Sequence, residues 1–148
     1  MTRIQYTPIG IIHSPFLQNG NVPVQPIYSK DTEATIEIYD EYVDGIKDLA
    51  GFSQIILLFH LDRISGYKLQ TVPHFDNKLR GVFATRSPSR PNPIGLSITR
   101  LVKIRGNILH IKGIDALDKT PLLDIKPYIQ KLDFCENPAN GWLDDINL

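Results

Sequence analysis

Over residues 5–12 and 32–39 apolar and polar positions alternate, with Ala34, Ile36 and Ile38 on one face of the second stretch, the period of a half-buried β-strand. Residues 52–61 differ: a continuous apolar run there predicts a strand buried on both faces. From Leu96 the sequence Leu96, Ile98, then Leu101, Val102 and Ile104 slips its period, which predicts a strand with a bulge. Gly106 and Asn107 form a hairpin turn signal, and residues 108–114 read as the returning partner. Helical spacing is confined to residues 41–49, through Tyr42, Ile46 and Leu49, with Gly45 weakening it. Many short strands separated by turns predict a mainly β fold: one domain over residues 1–148, a closed or partly closed β-barrel with one or two short helices.

Length and composition agree with one such domain, since 148 residues with 42% apolar content suffice for a sizeable core. Cys135 is the single cysteine, which excludes an internal disulfide and a Cys-rich zinc site and predicts a reducing compartment and no metal. The run Ile55 to Phe59 is too short to span a bilayer, and the first residues lack the basic-then-apolar pattern of a signal peptide. A cytoplasmic protein without a membrane partner is expected. Net charge is zero, which argues against strong nonspecific nucleic-acid binding, but the charges are segregated. Residues 78–105 hold Lys78, Arg80, Arg86, Arg90, Arg100, Lys103 and Arg105 without an acidic residue, whereas residues 31–48 are strongly acidic. Such a stripe is either a basic face for an RNA backbone or an ordinary solvated surface.

The densest chemistry lies in residues 81–97, GVFATRSPSRPNPIGLS. Pro88, Pro91 and Pro93 exclude both a helix and a ladder strand, leaving a stiff extended loop. Arg86 and Arg90 on that loop suit bidentate capture of a carboxylate or phosphate. Asn92 offers amide donors and an acceptor between two prolines, and Gly95 allows close backbone approach or a positive φ. A Pro-rich surface loop with solvated arginines is the plainer alternative. In residues 115–121, DALDKTP, paired carboxylates before a Thr-Pro turn can present a carboxylate and backbone amides to a ligand, or simply cap the turn. His60 closes the apolar run, where it can contact an adenine or a carboxylate, act as a base, or sit as a satisfied core histidine. No Gly-rich strand-to-helix loop followed by an acidic residue occurs, so a nucleotide would be held by loops on a barrel.

The stretch ATRSPSRPNPIGLS, with DALDKTPLLDIKPY downstream, resembles the signature of the TsaA-like family, S-adenosylmethionine-dependent tRNA methyltransferases acting on N6 of threonylcarbamoyladenosine beside the anticodon. IGIIHSPF, VPVQP and FSQIILLFHLD extend the likeness over nearly the whole chain in the family's order. The resemblance implies a β-barrel fold and a homodimer with the cofactor site near the dimer contact; Tyr128 and Trp142, in a C-terminal region rich in Pro and Asn, either cover such a contact or pack on the barrel. It implies S-adenosylmethionine held by Pro23, Val24 and Gln25, by His60 and Leu61, by Arg86 and Leu96, and by Asp118, Lys119, Thr120 and Pro121. In this assignment Leu61, Leu96 and the prolines sandwich adenine, Asp118 accepts from ribose or the methionine amine, and Arg86 pairs with the methionine carboxylate. Arg90, Asn92 and Ser97 are the candidates for aligning the acceptor, and His60 or Asp118 for removing its proton.

Two departures from the family pattern stand out. Lys119 occupies the usual Gly position, which costs about 1 kcal/mol or more if φ is positive there. The chain also ends soon after Trp142, whereas many bacterial relatives carry a further C-terminal domain suited to tRNA. Three readings follow: the tRNA methyltransferase; an S-adenosylmethionine-binding module without catalysis or with a different acceptor; and a plain RNA-binding barrel using the basic stripe.

Overall fold

Alternating strands become a closed wall in the computed structural model, which describes residues 1–17 and 30–146. The strands are β1 (Gly10–His13), β2 (Glu33–Ile38), β3 (Gln54–His60), β4 (Gln70–Thr71), β5 (Arg80–Gly81), β6 (Ile94–Arg105), β7 (Ile108–Lys112) and β8 (Thr120–Pro127). Six of them close into an antiparallel barrel in the order β1-β2-β7-β6-β3-β8, while β4 and β5 pair separately. The fold is therefore mainly β and the barrel is closed. The described residues group into two compact units, Met1–Asp62 with Ile94–Tyr128, and Arg63–Pro93 with Ile129–Leu148.

The barrel unit is organised by the two-residue period. On β2, Ala34, Ile36 and Ile38 face inward, and on β3 the inward set is Ile55, Leu57 and Phe59. Burying each large aliphatic side chain contributes about 1.5–3 kcal/mol. The expectation that β3 is buried on both faces is corrected, because Ile56 and Leu58 point outward and are only half-buried. An antiparallel barrel has one inner face, so every second residue must turn out.

The slipped period of β6 marks a real irregularity. Its first half pairs with β3 and its second with β7, and the register with β7 shifts between Leu101 and Lys103. The extra residue bends the strand between two neighbours, as closing a small barrel requires. Gly106 follows at φ 59° in the hairpin to β7. Gly95 lies against the Phe59 ring on β3, where a Cβ would overlap the aromatic carbons, so close approach rather than positive φ explains this glycine.

Two predicted elements change form. Strand β1 starts only at Gly10, after exposed residues 1–7 and a half-buried Ile9 that packs on the core. In place of a helix over residues 41–49, 3-10 turns cover Asp40–Ile46 and Leu49–Gly51, separated by Asp48 at φ 66°. A left-handed residue directly after Gly45 to Lys47 cannot continue a right-handed helix. Strand β8, not foreseen by alternation, completes the barrel between β1 and β3.

The second unit has little regular structure beyond the β4–β5 pair: a four-residue helix α1 (Gln130–Asp133) and 3-10 turns at Val82–Ala84 and Gly141–Asp145. Polar anchors organise it. Arg80 Nε donates to Asp76 Oδ2 at 2.6 Å, the Arg80 guanidinium lies 5.2 Å from the Trp142 ring centroid, and Trp142 Nε1 donates to the Ala84 carbonyl at 2.8 Å. Among the described residues no helix is long and apolar enough to cross a membrane.

Candidate functional site

Barrel pairing carries several of the candidate residues to neighbouring strand ends. His60 ends β3, paired with Ile94 of β6, and Leu58 pairs with Leu96 two residues further on. On the other side of β3, Phe59 pairs with Leu122, which brings the start of β8 and its Thr120 and Pro121 to the same rim. His60 is exposed, Leu61 is half-buried and packs on the core, and Leu96 is 47% exposed. An imidazole thus stands on a rim with apolar side chains on adjacent strands. Pro23, Val24 and Gln25 lie outside the described residues.

The turn before β8 is tied down by its own backbone. Asp118 N–H donates to the Phe16 carbonyl and Lys119 N–H to the Ile12 carbonyl, each at 2.7 Å. These two amides, which the sequence offered to a ligand, are therefore engaged with the β1 segment. Thr120, 3% exposed, donates its hydroxyl to the Leu117 carbonyl at 2.7 Å. Lys119 adopts φ 64°, a left-handed conformation that favours glycine, so the condition under which this departure from the motif costs strain is met. The exposed Lys119 side chain leaves the turn outward.

The carboxylate of Asp118 has company that sequence reasoning missed. Its Oδ1 accepts from the Ser14 amide at 3.0 Å and lies 3.9 Å from His13 Nδ1, while His13 Nε2 is 3.2 Å from Glu37 Oε2. Ser14 Oγ donates to the Ala116 carbonyl at 2.7 Å, locking the two segments together. The signal was a histidine at the end of an alternating strand immediately before Ser14-Pro15, a place where a turn exposes amides.

Ser97, a candidate for aligning the acceptor, is 1% exposed, faces the barrel interior and donates to Asp115 Oδ1 at 2.7 Å. Its hydroxyl supports the wall of the barrel. Thr99, two residues on, is equally buried, and its hydroxyl has no protein partner among the described residues.

Arg86, Arg90 and Asn92 belong to the second unit. The loop from Thr85 to Pro93 contains neither helix nor strand, as its prolines predicted. Arg90 Nη1 donates to the carbonyls of Thr85 and Ser87 at 3.0 and 3.1 Å, so this guanidinium holds the loop's own backbone. Arg86 and Asn92 are exposed. The basic stripe divides: Lys78, Arg80, Arg86 and Arg90 lie in the second unit, and Arg100, Lys103 and Arg105 on β6. Among the described residues no three His, Cys, Asp or Glu side chains gather as a metal site.

Comparison with known proteins gives a consistent picture. The family model described as the tRNA-methyltransferase O N-terminal domain matches residues 11–134. A probable S-adenosyl-L-methionine-binding protein of Pyrococcus abyssi is 51% identical over 141 residues, covering 95% of this chain and 77% of the relative. The tRNA (adenine(37)-N6)-methyltransferase of Mus musculus is 36% identical over 137 residues, 88% of this chain and 32% of that protein. The crystal structure of TrmO from Pseudomonas aeruginosa superposes with a TM-score of 0.78 at 35% identity, over 96% of this chain and 63% of that one. The chain thus spans under two thirds of the solved bacterial chain and about a third of the mouse protein.

Proposed function

The chain belongs to the tRNA-methyltransferase O N-terminal domain family, and from that premise we propose that it transfers a methyl group from S-adenosylmethionine to N6 of threonylcarbamoyladenosine beside the tRNA anticodon. The observation that carries this reading is the shared rim: His60 and Leu61, Leu96, and Thr120 and Pro121 stand at the ends of three neighbouring strands. The rim fits the cofactor chemically, with exposed and half-buried leucines for an adenine face and an Asp118 carboxylate for hydroxyl or ammonium donors. With the Asp118 and Lys119 amides engaged, recognition along this turn falls to side chains and carbonyls. Arg86 supplies a guanidinium for a carboxylate. Bound S-adenosylmethionine supplies an activated methyl on a positively charged leaving group, so the protein's task is mainly alignment.

His60, exposed at the end of β3, is the base that takes the acceptor's N6 proton. Asp118 is less suited, because its carboxylate already serves the Ser14 amide. Asn92 touches the acceptor; Arg90 and Ser97 act as positioning residues, one by shaping the loop and the other by supporting the rim. A homodimer is part of the proposal. Ile94, Leu96 and Ile98 form an exposed apolar row on β6, at 42–47% exposure, the kind of surface a second copy would cover. The setting is one where tRNA is available, the cytoplasm.

Calorimetric titration with S-adenosylmethionine tests the cofactor, and methyl transfer to tRNA with and without the threonylcarbamoyl group tests the acceptor. Binding without transfer to either tRNA would leave the non-catalytic or different-acceptor reading in its place. Arg86→Ala should remove cofactor binding, whereas His60→Ala should lower turnover at saturating cofactor about a hundredfold, a loss larger than any weakening of cofactor binding from its place in the rim.

A further inference from the structure

The second unit contains an open cavity of about 570 Å³ that the rim chemistry does not use, lined by His74, Phe75, Asn77, Lys78, Trp142 and Asp145, among others. Its floor is preorganised. Trp142 is fixed at its edge by the hydrogen bond to the Ala84 carbonyl and at its face by the Arg80 guanidinium, and Arg80 is in turn held by Asp76, whose side chain is 7% exposed. A large aromatic that has already lost its rotamer freedom binds a flat partner at low entropic cost.

The surroundings indicate what kind of flat partner. Residues 63–93 carry Arg63, Lys68, Lys78, Arg80, Arg86 and Arg90 against Asp76, which pairs with Arg80. Residues 129–148 of the same unit add Lys131 against Asp133, Glu136, Asp144 and Asp145, so the unit keeps an excess of cations concentrated in residues 63–93. Exposed aromatics are interleaved with these cations: Tyr67 at 59%, Phe75 at 36% and Phe83 at 75%. Aromatic faces set among positive charges are the means by which proteins hold unpaired nucleotides, the bases stacking while Lys and Arg follow the phosphates. At the cavity itself Asp145 and Asn77 add acceptors for the exocyclic amino group of a base, with Lys78 beside them for a phosphate.

We infer that the Trp142 cavity is a stacking subsite for one unpaired nucleotide of the RNA substrate, selecting bases that carry an amino group. The inference rests on the RNA-acceptor reading and deepens it, since it names a substrate contact made by residues other than those of the rim.

Trp142 is the only tryptophan, so its emission reports on this cavity alone. The full chain is titrated with labelled single-stranded oligoadenylate and oligouridylate, following tryptophan emission and label anisotropy together, and the same preparation is assayed for methyl transfer to tRNA. Saturable quenching by oligoadenylate is expected, weaker for oligouridylate and relieved by salt. Phe75→Ala and Lys78→Glu, at exposed positions, should each weaken binding roughly tenfold while the circular dichroism spectrum stays native. RNA binding seen by anisotropy with unchanged Trp142 emission would overturn the subsite, as would quenching indifferent to both substitutions or no RNA binding at all by folded protein. If quenching holds but tRNA is not methylated, the acceptor reading fails and the subsite stands.

Discussion

Inside the barrel, Ile12, Ile36, Leu57, Leu109 and Leu122 are fully shielded from water, and every strand is hydrogen-bonded on both sides. In the second unit the one apolar side chain buried to that degree among the described residues is Val82, while Tyr67, Leu69, Leu79 and Phe83 remain exposed. Shape there comes from Arg80 on Asp76, Trp142 on Ala84, and Arg90 on the carbonyls of Thr85 and Ser87. One region is held by many interchangeable apolar contacts, the other by a few directional ones. The contrast teaches where each is vulnerable: the barrel to loss of buried apolar volume, and the second unit to loss of its few polar anchors.

Leu57→Ala should break the barrel side of this contrast most severely, costing about 3 kcal/mol in urea unfolding through the cavity it leaves. Next comes Arg90→Ala, which removes charge-assisted bonds worth roughly 1.5 kcal/mol. Its effect should be confined to faster amide exchange in residues 85–90, with the barrel strands protected as before. Loss of protection in both regions would end the distinction. Lys119→Gly should stabilise the barrel by about 1 kcal/mol, because Lys119 adopts φ 64° and a glycine there carries no Cβ penalty.

The smallest effect is a pH response in the second unit. The hydrogen bond from Arg80 holds the Asp76 carboxyl below its ordinary value of 3.8. The stabilisation is complete above pH 3.8 and is lost as pH falls through the lowered value of the folded state. Trp142 emission should therefore change in strong acid, and Asp76→Asn should show the altered emission already at neutral pH. An acid transition identical in wild type and Asp76→Asn would assign it elsewhere.

What could be read in advance follows the same division. Residues 32–38 and the slipped period at Leu101 to Ile104 announced strands and a bulge, since inward and outward positions must differ chemically in a barrel. The prolines between Pro88 and Pro93 announced a loop, and the Asp118 to Pro121 motif raised the question of a left-handed residue at Lys119, which the structure answers with φ 64°. Strand β8 escaped because Pro121 and Asp124 interrupt its alternation, although its neighbours supply the missing register. His13 escaped because its partners, Glu37 and Asp118, are distant in sequence. The second unit was opaque for a related reason: Arg80, Asp76 and Trp142 follow no period, so only folding reveals that they meet.

The circular order of the strands also sets a timetable for the nascent chain. Residues 10–12 of β1 pair with residues 120–122 of β8, and β3 pairs with both β6 and β8, so the wall has unpaired edges until almost the last strand has left the ribosome. Contacts so distant along the chain make for slow folding and a prolonged interval in which open edges can recruit other chains. Synthesis therefore asks the barrel to remain soluble in an incomplete form until residues 120–127 have emerged, and β8 is both the closing stave of the barrel and the end of that exposure.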